Sequence, residues 1–371
     1  MHLTTKLSAS GREALPRAEH RSTTLPRMRI CILGATGLVG GELLTLIDRA
    51  WPDAELALYA SRDQTLEHAG RTHQVYAASS LEQADTRGGE LAFVALDDQY
   101  SARYCPRLVE LGYRVIDKSN TYRMNPEVPL IVAGVNHRRA TADTKLVANP
   151  NCTTIPLSLA LEPLRAHYGL GEVTVSSYQA ISGAGLAPLT SFVDATIAGF
   201  SQMQRAGELS GALLDASAYP GNVVPHNGST DDSGFSSEER KLVNESRKIL
   251  ELPKLGLSAQ CCRVPVPVGH YENVWVELER PADAAGITEL LGAAPFVRYF
   301  PGPEGTHLTA LATVQHRDDA LVGRVRRDGR DTNGRRWCLT VAADNLRLGA
   351  ATNAVRIASA WFDAADPSLR V

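Results

Sequence analysis

From Met28 onward, short apolar runs alternate with longer segments whose apolar positions recur at helical spacing. RICILG reads as a buried strand, and GELLTLIDRA follows it with Leu43, Leu44 and Ile47 on one helical face. AELALYAS reads as a second strand, ELAFVAL as a third and YRVID as a fourth. Between the last two, SARYCPRLVELG predicts a helix with Ser101 as its N-cap and Gly112 as its stop. Strands and helices in alternation predict an α/β fold built on a parallel, doubly wound sheet of Rossmann type.

Past residue 150 the pattern changes. GEVTVSSYQAISGAG reads as a strand ending in small residues, and residues 221–235 as a loop rich in Gly, Asn, Asp and Ser. SSEERKLVNESRKILEL predicts a helix opening on Ser236 or Ser237, with acidic residues in its first turn. QCCRVPVPVG and YENVWVELE read as antiparallel strands flanking a turn, and NLRLGAATNAVRIASAWF as an amphipathic helix. The expected organisation is a dinucleotide-binding unit over residues 28–150, completed by 345–371, and an α+β catalytic and dimerisation unit over 151–344. Residues 1–27 have neither periodicity nor a long apolar core. They are expected to form a disordered extension, or to precede a working start at Met28.

Composition narrows the function. The 371 residues, 44% hydrophobic and 21% charged, exceed what one core ordinarily holds and suit two. A net charge of -3 offers nucleic acid no basic footprint, and no apolar run reaches the roughly 18 residues that cross a bilayer. Cys31, Cys105, Cys152, Cys261, Cys262 and Cys338 form no C-x-x-C pair, and the histidines complete no zinc pattern. Free thiols in a reducing cytosol and no metal site are the expectation.

Candidate chemistry begins at ILGATGLVG, between the first strand and the first helix. Gly34, Gly37 and Gly40 allow a tight turn and close approach to a pyrophosphate, and the helix start at Leu38 and Val39 offers free N–H groups. Thr36 adds a hydroxyl. The second strand ends in Ser61 and Arg62, which favour the 2′-phosphate of NADP, followed by Asp63, which favours a free ribose. NADP is the expected cofactor.

The segment VANPNCTTIPLSLALEPL places Cys152 after a turn and at the start of an apolar helix. The helix dipole and free N–H groups there favour a thiolate, the form that attacks carbonyls. RVPVPVGHYENV supplies Arg263 and His270, which a strand and turn can aim into one pocket. His270 is expected to accept the thiol proton, and Arg263 to grip a carboxylate with its planar fork. His226 is a rival base.

With these segments together, the chain resembles the aspartate-semialdehyde dehydrogenase family. GATGLVG, GYRVIDKSNTYRM, NPNCTT, SYQAISGAG, SSEERKLVNESRKIL, RVPVPVGH and DNLRLGAATNAVRIA match in the family's order and span most of the chain from Met28. The resemblance implies that Cys152 is the nucleophile with Asn151 beside it, that Gln179 positions the acyl group, and that His270 does acid–base work. It implies Arg263 for the substrate carboxylate, Glu238 for its amino group, Arg123 and Lys241 for phosphate, and Asn345, with Ser182 and Gly183, near the nicotinamide. It also implies NADP-dependent reduction of β-aspartyl phosphate to aspartate-β-semialdehyde through a Cys152 thioester, in lysine, methionine and threonine synthesis. A homodimer or homotetramer acting on a small molecule and phosphate is the implied assembly.

Three segments depart from the family pattern. LDDQY follows the third strand where small residues are usual, and Asp97 and Asp98 repel cofactor phosphates if they point inward. LAPLTSFVDAT after SGAG is not a family match, and Tyr271 follows His270 where a small residue is common. Two rival readings stand beside the main one. The first is another thioester-forming reductase on the same scaffold, for N-acetylglutamyl phosphate or malonyl-CoA. The second is a non-catalytic paralogue that only binds nucleotide.

Overall fold

The computed structural model describes residues 28–82, 89–206, 219–225, 228–301 and 308–362. His226, the extension over 1–27 and the end of the chain from 363 lie outside the described residues.

The first unit is a seven-stranded sheet. β1 (Arg29–Leu33) leads through α1 (Leu38–Ala50) to β2 (Glu55–Ala60), and β1 pairs in parallel with both β2 and β5 (Leu91–Val94). From β5 the chain runs through α2 (Asp98–Glu110) to β6 (Arg114–Asp117), with β7 (Leu146–Ala148) at the far edge. A hairpin of β3 (Gln64–His68) and β4 (Arg71–Ala77) closes the other edge, giving the order β3-β4-β2-β1-β5-β6-β7. The order reverses between β1 and β5, so the crevice over their carboxyl ends is the expected dinucleotide position.

Two local readings need correction. The sequence suggested no hairpin after β2, because QTLEH and RTHQVYA carry polar residues that an edge pair leaves in solvent. Helix α2 starts earlier than expected. Asp97 is its N-cap, accepting from the Tyr100 N–H, while Ser101 is buried inside the helix and donates to Asp117 at 2.8 Å. Gly112 follows the helix with a φ of +91°.

The second unit is a mixed sheet in the order β12-β13-β14-β11-β8-β10-β9. Its strands are β8 (Leu170–Gln179), β9 (Val224–Pro225), β10 (Gly256–Arg263), β11 (His270–Leu278), β12 (Val297–Phe300), β13 (Ala320–Arg327) and β14 (Arg336–Ala343). The expected pairing of the strands around Arg263 and His270 is not found. β8 lies between them, parallel to β10 and antiparallel to β11. Period-two burial along β8 and β11 turns Val173, Val175, Val274 and Val276 toward α3 (Thr154–Tyr168), α5 (Ser237–Ile249) and α6 (Ala284–Ala293). The opposite face carries Tyr178, Tyr271 and Trp275 in partly exposed positions. α5 opens with a full capping box, Ser236 and Glu239 each bonding the other's backbone. Between β8 and β9 lies α4 (Leu186–Ala206), with Ile197 and Phe200 exposed.

The chain then returns to the first unit. Arg347–Thr352 form a π-helical turn that runs into α7 (Asn353–Phe362), and every residue from Trp337 to Ala358 is buried. The predicted amphipathic helix is therefore enclosed on nearly all sides. Ala351, Ala354, Val355 and Ile357 join Leu43, Leu46 and Ile47 in one core. Across this junction Glu42 of α1 takes Arg317 at 2.6 Å and Arg347 at 3.2 Å, and Arg317 also binds Asp344 at 2.7 Å.

Candidate active site

The glycine turn after β1 is shaped by packing. Gly34 has a φ of +88°, and a Cβ on it would stand 2.6 Å from the Ala95 carbonyl oxygen. A Cβ on Gly40 would stand 2.2 Å from the Gly34 carbonyl oxygen, so α1 presses directly on the turn. Gly37 meets nothing closer than 3.4 Å and lines the open cleft with Leu38 and Val39. The free N–H groups at this helix start fit a dinucleotide pyrophosphate. Thr36 faces a neighbouring recess shared with Glu42 and Arg317. Ser61 and Arg62 are exposed at the end of β2, and Asp63 accepts from the Ala77 N–H at 2.7 Å.

A cleft of about 690 Å³ runs from Gly37 to Cys152. Gln179, Ser182, Gly183, Glu238, Lys241, Arg263, Arg123, Asn151 and Asn345 all line it. Asn151 shapes the turn at Cys152: its side-chain oxygen accepts from the Thr153 N–H at 2.9 Å, and its own N–H donates to Glu245 at 2.7 Å. The sulfur of Cys152 lies 3.2 Å from His270 Nε2. His270 Nδ1 accepts from the Ala180 N–H at 3.0 Å, so the neutral ring carries its proton on Nε2 and donates it toward sulfur. In this resting arrangement His270 is therefore a donor, not the expected acceptor.

Burial pushes the Cys152 thiol up to about 11, and the Glu238 charge adds to the rise. Arg263, Arg123 and Lys118 pull it back. The expected helix-terminus effect is thus outweighed by desolvation in the closed pocket. Gly183 lies against both partners: a Cβ there would come within 2.9 Å of Arg263 Nη1 and 3.2 Å of the His270 ring.

The ionic groups form an internal network. Glu238 accepts from Asn151 at 2.9 Å and Lys241 at 3.2 Å, with Gln179 at 3.4 Å. Arg123 donates to Asn149, Asn120, Glu245 and Lys118, which leaves it one N–H for a ligand, fewer than a phosphate fork requires. Arg263 Nη1 donates to the Ala180 carbonyl at 2.8 Å. Asn345 ties Ser182 at 2.9 Å and the Gly269 N–H at 3.0 Å, fastening two cleft loops to the returning chain. Asp97 and Asp98 do line the cleft, but each carboxylate is engaged, by Tyr100 N–H and by Asn120 N–H respectively.

Sequence reasoning passed over two cleft residues. Lys118, inside the motif GYRVIDKSNTYRM, stands at the end of β6. Gly349 in the π-helical turn touches Cys152, with a Cβ position 2.8 Å from Cys152 Cβ. The first was visible only as a motif letter, the second as one glycine of RLGAA. Among the described residues no cluster of His, Cys, Asp or Glu suits a metal ion, and no helix is long and apolar enough to cross a membrane.

A switch-point crevice leading to a half-buried cysteine defines the class: an oxidoreductase with an NAD-binding domain and a dimerisation domain. The family model for the semialdehyde dehydrogenase NAD-binding domain matches residues 29–143, and that for the semialdehyde dehydrogenase dimerisation domain matches 161–348. The chain belongs to the aspartate-semialdehyde dehydrogenase family. It is 34% identical to the aspartate-semialdehyde dehydrogenase of Bacillus subtilis, over 89% of this chain and 96% of that one. For the Streptomyces akiyoshiensis enzyme of the same name the identity is 38%, over 89% and 97%. The crystal structure of aspartate semialdehyde dehydrogenase II from Vibrio cholerae superposes with a TM-score of 0.82 at 32% identity, covering 92% of this chain and all of that one. The same enzyme complexed with ASA gives 0.81 at 31% identity, covering 92% and 99%.

Proposed function

We propose that the chain interconverts β-aspartyl phosphate and aspartate-β-semialdehyde, with NADP as cofactor and a thioester on Cys152 as intermediate. The carrying observation is the 3.2 Å approach of Cys152 Sγ to His270 Nε2 at the end of the glycine-lined cleft. The turn at Gly37–Val39 would hold a nicotinamide dinucleotide, which when bound would supply hydride in reduction and take it up in oxidation. Ser61 and Arg62 are free to meet a 2′-phosphate while Asp63 is bonded to β4, which supports NADP over NAD.

In the reductive direction Arg263 receives the substrate carboxylate and Glu238 its amino group, with Lys241 and the one remaining Arg123 N–H toward the phosphate. As the Cys152 sulfur bonds to the acyl carbon and the bond to the phosphate oxygen breaks, the thiol proton passes to the departing phosphate. The proton on Nε2 stabilises charge on sulfur while Gln179 and Asn151 hold the acyl oxygen's surroundings. After hydride addition the alkoxide collapses, the carbon–sulfur bond breaks and the aldehyde is released. His270 relays the proton that sulfur requires. The product feeds lysine, methionine and threonine synthesis in the cytosol. The partly exposed sheet face carrying Tyr178, Tyr271 and Trp275 supports assembly as a homodimer or a homotetramer.

The test is reduction of NADP by purified protein with aspartate-β-semialdehyde, with and without phosphate, beside Cys152→Ala. Phosphate-dependent turnover that the variant lacks supports the reading. Turnover indifferent to phosphate, or retained by the variant, refutes it.

A further inference from the structure

Four cations surround the cleft, and they differ in what already holds them. Arg123 has one donor left, Lys241 is bonded to Glu238, and Arg263 is bonded to the Ala180 carbonyl. The Lys118 ammonium has no hydrogen bond and no ion pair among the described residues. Its backbone is nonetheless held on both sides: the N–H donates to the Val94 carbonyl at 3.0 Å, and its carbonyl accepts from Arg123 at 2.6 Å. The Asp117 carboxylate before it accepts from Ser101 and Ser119, which fixes the turn out of β6. A residue so rigidly placed, with its charged end unengaged, is an incomplete binding site.

Strand alternation gives the direction. Lys118 is two residues beyond Ile116, which packs with Leu43 and Phe93 under α1. Its stem borders Val39, Ala350 and Ala354, and its ammonium opens into the cleft beside Cys152. A dinucleotide with its pyrophosphate at the start of α1 and its nicotinamide at Cys152 passes over this position. The same wall carries Asp97 and Asp98, whose charges repel such a ligand. Desolvation lowers the Lys118 ammonium from its ordinary value, and the nearby Arg123 charge adds to this, so an oxygen ligand relieves a cost that already exists.

We propose that Lys118 binds the nicotinamide-side ribose and phosphate of the dinucleotide and offsets Asp97 and Asp98, making it a positioning residue for the cofactor. This rests on the function proposed above, since it takes a nicotinamide dinucleotide as the ligand. A charge-assisted hydrogen bond of this kind changes affinity by about tenfold or more.

Dissociation constants of NADPH and of adenosine 2′,5′-bisphosphate, which lacks the nicotinamide half, measured without substrate for the wild type, Lys118→Met and Lys118→Arg, test this. The expected result is NADPH binding weakened about tenfold or more in Lys118→Met, partly restored in Lys118→Arg, with the bisphosphate unchanged within about twofold. Thermal melting of the apo variant should match or exceed the wild type, because an unpartnered ammonium is removed. Unchanged NADPH binding in a folded Lys118→Met, or equal weakening of both probes, overturns the assignment and leaves the proposed reaction standing. A wild type that binds neither NADPH nor NADH removes both.

Discussion

Gly349 lies so close to Cys152 that a methyl group in place of its α-hydrogen would stand 2.8 Å from the Cys152 Cβ. The π-helical turn thus sets where the Cys152 side chain can be. Gly349→Ala should displace the sulfur and lower kcat by about a hundredfold, the scale of a 1 Å misplacement. Dinucleotide affinity should hold, because Gly37 and Val39 are untouched. Steady-state kinetics beside a binding titration separate the two, and an unchanged kcat would show that the contact relaxes harmlessly.

The resting thiol is expected to be protonated at neutral pH. With Cys152 pushed up to about 11 by burial, iodoacetamide alkylation of the free protein should climb steadily from pH 7 to 10 with no plateau near 8. Mass spectrometry of the Cys152 peptide follows it, and a plateau below pH 8 would mean that the cations prevail over burial.

Glu272 on β11 is 1% exposed, and neither carboxyl oxygen has a hydrogen-bond partner among the described residues. Burial raises it well above the usual carboxylate value of 4.5. Above pH 4.5 the folded chain then holds a proton that the unfolded chain has released, so stability falls as pH rises toward the folded value. The slope is about 1.4 kcal/mol per pH unit. Glu272→Gln, neutral throughout, should melt at a similar temperature near pH 4.5 and above the wild type by a margin that grows as pH rises toward the folded value. Parallel melting curves across that range would remove the argument.

Arg123 and Glu245 form an ion pair at 3.0 Å, with both side chains buried. Removing one partner leaves a charge in the interior, so Arg123→Met should cost about 3–5 kcal/mol in denaturant unfolding. The double replacement Arg123→Met with Glu245→Gln should recover part of that loss. Equal losses in the single and double variants would put the cost in packing instead of charge.

At the end of β2, Arg62→Glu places a second carboxylate where a 2′-phosphate is expected. The KM for NADP should rise by about tenfold or more while that for NAD changes little. Equal effects on both cofactors would remove Arg62 from phosphate recognition.

Features carried by adjacent residues were legible in the sequence. The glycine turn, the helix after Cys152 and the capping box at Ser236 each follow from a few neighbouring side chains, and the structure has all three. Long-range features were not. Nothing in RVPVPVGH says that β8 inserts between the flanking strands, because that pairing joins segments some ninety residues apart. The hairpin of Gln64–His68 and Arg71–Ala77 lacks an apolar alternation because its edge faces solvent. The thiol's elevated value, the near-saturation of Arg123 and the nearness of Gly349 exist only once the chain has closed around them. Lys118 was legible as a letter, but its lack of a partner among the described residues is a property of the folded cleft.

The core beneath α1 is finished by Ala351, Ala354, Val355 and Ile357, near the far end of the chain. During synthesis the strands β1 to β7 leave the ribosome well before these residues, so the face of α1 that they cover stays bare until residues 351–357 have been made. The first unit cannot mature ahead of the second. Ribosome-bound intermediates must therefore keep Leu43, Leu46 and Ile47 from other apolar partners, and a chain released before Asn345 would have neither a closed first core nor the tie between Ser182 and Gly269.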